Sequence, residues 1–191
     1  LYDIDIMLRP PTLEKIGLYR YLEDGAAGLL IPQVSTAEMA EKLVESVKFP
    51  PLGDRGIDNS GLDAGFQYHD PDEFAALANR ETFLCVQIET PLGVHNVESI
   101  AAVDGVDMIF VGPADLGLRL RQSGEMTLDQ AWQIVASACK KHGVAFGGPT
   151  LEPGDLKRRA QQGAQLMVAS TEFKSWSNGL KEDMRKFDEA T

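Results

Sequence analysis

Two carboxylates stand at the ends of apolar, strand-like runs: Glu89 in VQIET and Asp115 in GVDMIFVGPAD. A packed core does not tolerate a lone charge, so each needs a partner. Carboxylates from neighbouring strands, with the other positions left to water and substrate oxygens, are how Mg²⁺ or Mn²⁺ is usually held in an open site. The competing reading is a structural ion pair, for example Glu89 with Arg9. Gln87 lies two residues before Glu89. On a strand the two point to one side, the interior of a barrel if Val86 and Ile88 face outward. Arg9 ends the run DIDIML and is pinned by Pro10 and Pro11; its guanidinium can hold a carbonyl or enolate oxygen, or form a salt bridge at the rim. In the GPAD turn, Gly112 allows a close backbone approach, and the amides of Ala114 and Asp115 can donate to a carboxylate, Pro113 having none. Neither cysteine stands at a strand mouth and no two histidines have ligand spacing, which speaks against a soft metal.

The elements that must position these residues alternate between strand-length apolar runs and helix-period segments. Strands are expected at 3–8, 28–34, 83–89, 106–112, 144–148 and 165–170. Helices are expected after the first strand, with Thr12 as cap and Gly25 as stop, and in STAEMAEKLVESVKF, with Ser35 or Thr36 as cap. Others follow near 94–103, 127–142 and 153–162, and a closing helix runs from about 173 to 189. Arg9, Gln33, Glu89, Asp115 and the pair Gly147-Gly148 fall at or just beyond strand C-termini. An open doubly wound sheet gathers its site at one switch point, whereas in a barrel many strand ends converge. The expectation is therefore a (β/α)₈ TIM barrel, read as one partial domain over 1–191. At about 31 residues per unit, six βα units are present and the first two are lacking, so about 60 further N-terminal residues are expected. The stretch from Pro50 to about Asp72 has no period and reads as a long loop, either a surface excursion or a wall over the site or subunit contact.

Composition excludes several classes. With 43% hydrophobic and 25% charged residues, the chain can bury a sizeable core. A net charge of −11 argues against nucleic acid as partner. No apolar run reaches the length of a membrane span and no signal peptide is evident. Cys85 and Cys139 sit in apolar periodic runs and read as buried free thiols, which points to a reducing cytoplasm.

The segments IMLRP, LLIPQVSTAEMAEKLVESVKFPPLGDRG, VQIET and GVDMIFVGPADL together resemble the HpcH/HpaI family of metal-dependent pyruvate aldolases. The likeness extends more weakly to both chain ends, and the interval of 26 residues from Glu89 to Asp115 is the family's. The resemblance implies a (β/α)₈ barrel in which Glu89 and Asp115 hold a divalent metal, Mg²⁺ or Mn²⁺ with Co²⁺ an option, and no organic cofactor. Pyruvate would chelate that metal, Arg9 and Gln87 would contact the keto oxygen or a water on the metal, and the backbone of Gly112, Pro113 and Ala114 would receive the carboxylate. Gln33 stands where some relatives carry His or Met; it either tunes subgroup chemistry or forms structural hydrogen bonds. The implied reaction makes or breaks a C–C bond of a 4-hydroxy-2-oxoacid through a pyruvate enolate. Ketoacid and aldehyde are the expected small-molecule partners, and a homo-oligomer is the expected assembly.

The sequence also departs from that pattern. The family's general base, a His held by an Asp, precedes the residue matching Arg9, and this chain has no such base. His95 and His142 read as solvated or capping residues, and His69 as a weaker site candidate. No lysine lies inside a strand; Lys48, Lys140, Lys141 and Lys157 fall on helix surfaces or ends, which argues against Schiff-base chemistry. Two other classes stay open: an acyl-CoA ester lyase of the citrate-lyase type, for which the mouth is poor in basic residues, and a truncated barrel that binds metal and ketoacid without catalysis.

Overall fold

The computed structural model describes residues 4–58, 60–66, 70–150, 152 and 154–190. Six strands form one sheet: β1 (Met7–Leu8), β2 (Gly28–Ile31), β3 (Phe83–Ile88), β4 (Met108–Val111), β5 (Ala145–Pro149) and β6 (Leu166–Val168). Their spatial order is their chain order, and every neighbouring pair is parallel. A doubly wound sheet reverses its order at a switch point. This one never reverses, and it curls into a half-barrel.

Helices cover the outer face: α1 (Lys15–Glu23), α2 (Ala37–Val47), α3 (Pro71–Glu81), α4 (Pro91–His95), α5 (Val97–Ala101), α6 (Pro113–Ser123), α7 (Leu128–His142), α8 (Asp155–Gln161) and α9 (Glu172–Ala190). Leu84, Val86 and Ile88 of β3 and Ile109 and Val111 of β4 join the core cluster with Val44 of α2, Ile100 of α5 and Trp132 of α7. Period-two alternation therefore sends Cys85, Gln87 and Phe110 to the inner face. Helix ends follow ordinary capping chemistry. Thr127 and Gln130 form a capping box on α7, and Gly143 closes that helix at φ 71, a conformation glycine adopts without cost.

Several expectations change. The cap of α1 is Glu14, whose carboxylate accepts from the amides of Ile16 and Gly17, because Thr12 instead accepts from the Glu14 amide. The helix expected near 94–103 is two short ones broken at Asn96, whose side chain donates to the Ser35 carbonyl. Two helices were not foreseen. α3 starts inside the expected loop, with Asp70 capping and Pro71 in its first turn, and α6 starts at the GPAD turn and ends on Gly124. Gly147 and Gly148 lie within β5 rather than beyond it. A Cβ on Gly148 would stand 2.5 Å from the Trp132 ring and 2.8 Å from the Val111 carbonyl, so close packing explains it.

The described part of the long loop is anchored on the outer helices. Arg55 pairs with Asp63 at 2.8 Å and lies over the Phe49 ring, and Asp54 pairs with Lys15 of α1. Lys48 is not at the surface. It caps α2 with 1% exposure and reaches Asp107 at 2.9 Å and the Thr82 carbonyl at 2.7 Å, at the N-terminal ends of β3 and β4. Among the described residues no helix is long and apolar enough to cross a membrane.

Candidate functional site

Glu89 follows the last residue of β3 and is 2% exposed. Its Oε1 accepts from the Gln33 amide at 2.9 Å. Gln33 adopts φ 58, a left-handed conformation uncommon outside glycine. That turn is held further by the Val34 amide, which donates to the Gln87 carbonyl at 3.2 Å. The other carboxylate oxygen, Oε2, lies beside Gly112, where a Cβ would approach it to 3.0 Å. Oε2 has no hydrogen-bond partner among the described residues. The suggested ion pair between Glu89 and Arg9 does not form. Arg9 follows β1, is exposed, and makes no side-chain hydrogen bond or ion pair among the described residues.

Gln87 is one pleat back on the inner face, 6% exposed. Its Nε2 would be 2.5 Å from a Cβ on Gly112, and its Oε1 is buried without a partner among the described residues. A buried amide oxygen left unpaired costs about 1–3 kcal/mol, so it points to an occupant that supplies the missing interaction.

The register of β3 on β4 pairs Ile88 with Val111, which sets Glu89 level with Gly112. α6 begins at the next residue, with Pro113 at its start and Asp115 in its first turn. The expected anion nest is thus the N-terminus of a helix, where free amides and the dipole favour negative charge. Asp115 is about half exposed and lies 3.4 Å from Arg119 one turn later. Arg119 was not foreseen from the sequence; its Nη1 also donates to the Glu89 carbonyl at 2.8 Å. Its one sequence signal is the spacing of four from Asp115. Also unforeseen is the clasp between the β2 and β3 ends, where the Ser35 and Thr90 hydroxyls meet at 2.7 Å.

The donor set suits a hard divalent cation. It offers a buried glutamate whose Oε2 faces Gly112, an orphan amide oxygen and a half-exposed aspartate, walled by a glycine that leaves room. Among the described residues no cluster of three His, Cys, Asp or Glu exists, so water and substrate oxygens would complete the shell. The Gln33 side chain is exposed. His95 sits outside on α4, 3.5 Å from Glu125, and His142 ends α7, 4.0 Å from Glu98, as solvated or capping residues. His69 lies outside the described residues. Both thiols are buried and free, and burial pushes Cys85 up and Cys139 up to about 12.

The model of the HpcH/HpaI aldolase/citrate lyase family matches residues 2–178. The 5-keto-4-deoxy-D-glucarate aldolase of Klebsiella pneumoniae is 34% identical over 186 residues, which cover 94% of this chain and 72% of that protein. The same-named enzyme of Salmonella paratyphi C is 35% identical over an equal span. Among solved structures, an HpcH/HpaI aldolase from Desulfitobacterium hafniense superposes with a TM-score of 0.89 at 28% identity, covering 97% of this chain and 73% of that one. The chain belongs to the HpcH/HpaI aldolase/citrate lyase family and has the function of an aldolase lyase.

Proposed function

We propose that the chain is a divalent-metal-dependent aldolase that makes or cleaves the C–C bond of a 4-hydroxy-2-oxoacid by way of a pyruvate enolate. The observation that carries this is the Glu89 carboxylate, buried, fixed through Oε1 by the Gln33 amide, and open at Oε2 toward Gly112. A divalent cation bound between Glu89 and Asp115 would supply Lewis-acid charge to the ketoacid oxygens. The chain's residues then have separate tasks. The first-turn amides of α6 receive the substrate carboxylate. Gln87 orients the keto oxygen or a nearby water through its inward amide. Arg9, exposed and free of internal partners among the described residues, adds positive charge where the enolate forms. The described residues bring no histidine to Glu89, so the proton-transfer group of the aldol step is assigned outside them. The names of the relatives support a keto-deoxy sugar acid as substrate class, since such a molecule, counted from its keto end, is a 4-hydroxy-2-oxoacid.

The reading extends to a homo-oligomer in a reducing cytoplasm. Phe173, Trp176, Leu180, Met184 and Phe187 form an exposed apolar stripe on α9, and both cysteines are free. Sedimentation of the purified protein as a single subunit would overturn the assembly. For the site itself, Glu89→Gln and Asp115→Asn are expected to abolish Mn²⁺ binding in calorimetry and pyruvate release from a 4-hydroxy-2-oxoacid. Undiminished Mn²⁺ affinity in either variant removes that carboxylate from the site.

A further inference from the structure

We infer that Arg119 is the positioning residue that sets the two carboxylates against each other; the inference rests on the metal reading of Glu89 and Asp115. One nitrogen of its guanidinium, Nη1, donates to the Glu89 carbonyl at 2.8 Å and lies 3.4 Å from Asp115 Oδ1. These two contacts belong to different elements. The carbonyl directly follows β3, and the carboxylate stands in the first turn of α6. Arg119 therefore cross-links the strand that carries one ligand to the helix that carries the other.

The two distances divide the work. The short bond goes to a backbone carbonyl, which has no other role at the site, and so fixes the root of Glu89 relative to α6. The longer contact, made through Oδ1, steers the half-exposed Asp115 side chain and leaves Oδ2 to a cation. Without it, a half-exposed aspartate in a helix first turn would be free to exchange rotamers. The positive charge also offsets that of Asp115 before a cation arrives. An ordinary surface pair four residues apart on a helix contributes little and reaches nothing else. The bond from Arg119 to Glu89, 30 residues away, separates this residue from that case. Nη1 sits on a rigid plane with two N–H groups and faces both acceptors; a lysine ammonium ends on a flexible stem and holds neither contact in a fixed direction.

The experiment is Mn²⁺ calorimetry on the unaltered chain, Glu89→Gln, Arg119→Met and Arg119→Lys, each with a thermal unfolding curve. Arg119→Met keeps the aliphatic stem, and its Mn²⁺ Kd is expected to rise about 10-fold or more, the usual size for losing a group that orients a metal ligand. Arg119→Lys is expected to recover part of that loss. An affinity equal to or tighter than that of the unaltered chain in Arg119→Met overturns the inference alone, provided that Glu89→Gln loses binding. Absence of Mn²⁺ binding in the unaltered chain overturns the metal reading and this inference with it. If Arg119→Met fails to fold, Arg119→Lys decides: a severalfold weaker Kd sustains the inference, and an unchanged one ends it.

Discussion

The backbone amide of Gln33 donates to Oε1 of Glu89 at 2.9 Å, joining the turn after β2 to the end of β3. A main-chain donor thus orients the buried carboxylate, and Gln33 takes φ 58 to bring that amide into place. Gln33→Gly keeps the donor and adopts this φ freely. It is expected to leave Mn²⁺ affinity unchanged and to alter stability by less than about 1 kcal/mol, in the stabilising direction, because relief of the left-handed strain slightly outweighs the added chain entropy. Gln33→Val, β-branched, should lower both. Unfolding curves and calorimetry on the pair check this, and equal stabilities would show that the turn carries no strain.

Gly112 is expected to tolerate no side chain. A methyl group there would stand 2.5 Å from Gln87 Nε2 and 3.0 Å from Glu89 Oε2, and Gln87 is too deeply buried to move aside. Gly112→Ala should destabilise the fold by about 1–3 kcal/mol, the usual cost of overpacking. It should also lower aldol turnover by about 10²-fold, as expected for displacing a group at the reacting centre by about 1 Å. Turnover within a factor of two of the unaltered chain would place the reaction away from Gly112.

Arg9 is the test of charge stabilisation. It has no internal partner among the described residues, so its removal should leave the fold intact. Arg9→Ala is expected to lower turnover of a 4-hydroxy-2-oxoacid by about 10²-fold, as for loss of one transition-state donor, with Mn²⁺ affinity nearly unchanged. Undiminished turnover would return Arg9 to the rim.

The thiols should be silent in the folded protein. Burial pushes Cys139 up to about 12, and Cys85 is raised further by burial and by the charge of Asp107. The thiolate is the reactive form, so at pH 8 only about one Cys139 in ten thousand carries it, against about one in four for a free cysteine. Ellman's reagent at pH 8 is expected to find no fast-reacting thiol in the native chain and two after denaturation. Rapid native labelling would mean that the sheet opens.

The sequence by itself carried the alternation of strands and helices, the inner-face placement of Gln87, and the position of Glu89 at a strand end. Period-two burial and parallel βα order are written in local apolar patterning. It also carried the two buried thiols, and no lysine falls within a strand of the described residues. Other features were decided only in three dimensions. α3 and α6 begin on Asp-Pro and Gly-Pro, signals shared by turns and helix starts. Both segments coil because helix formation buries Phe74 and Ala78 in α3, and Leu116 and Leu120 in α6. Lys48 reads as a surface residue because nothing local announces that Asp107, 59 residues on, will meet it. The Gln33 amide has no side-chain signature at all, and it reaches Glu89 across 56 residues because β2 and β3 pair in parallel. Arg119 looks like a solvated helix charge until the β3–β4 register carries the Glu89 carbonyl beneath it. The ligand types are legible from residue chemistry, but the donors that orient them come from long-range register, which no local pattern encodes.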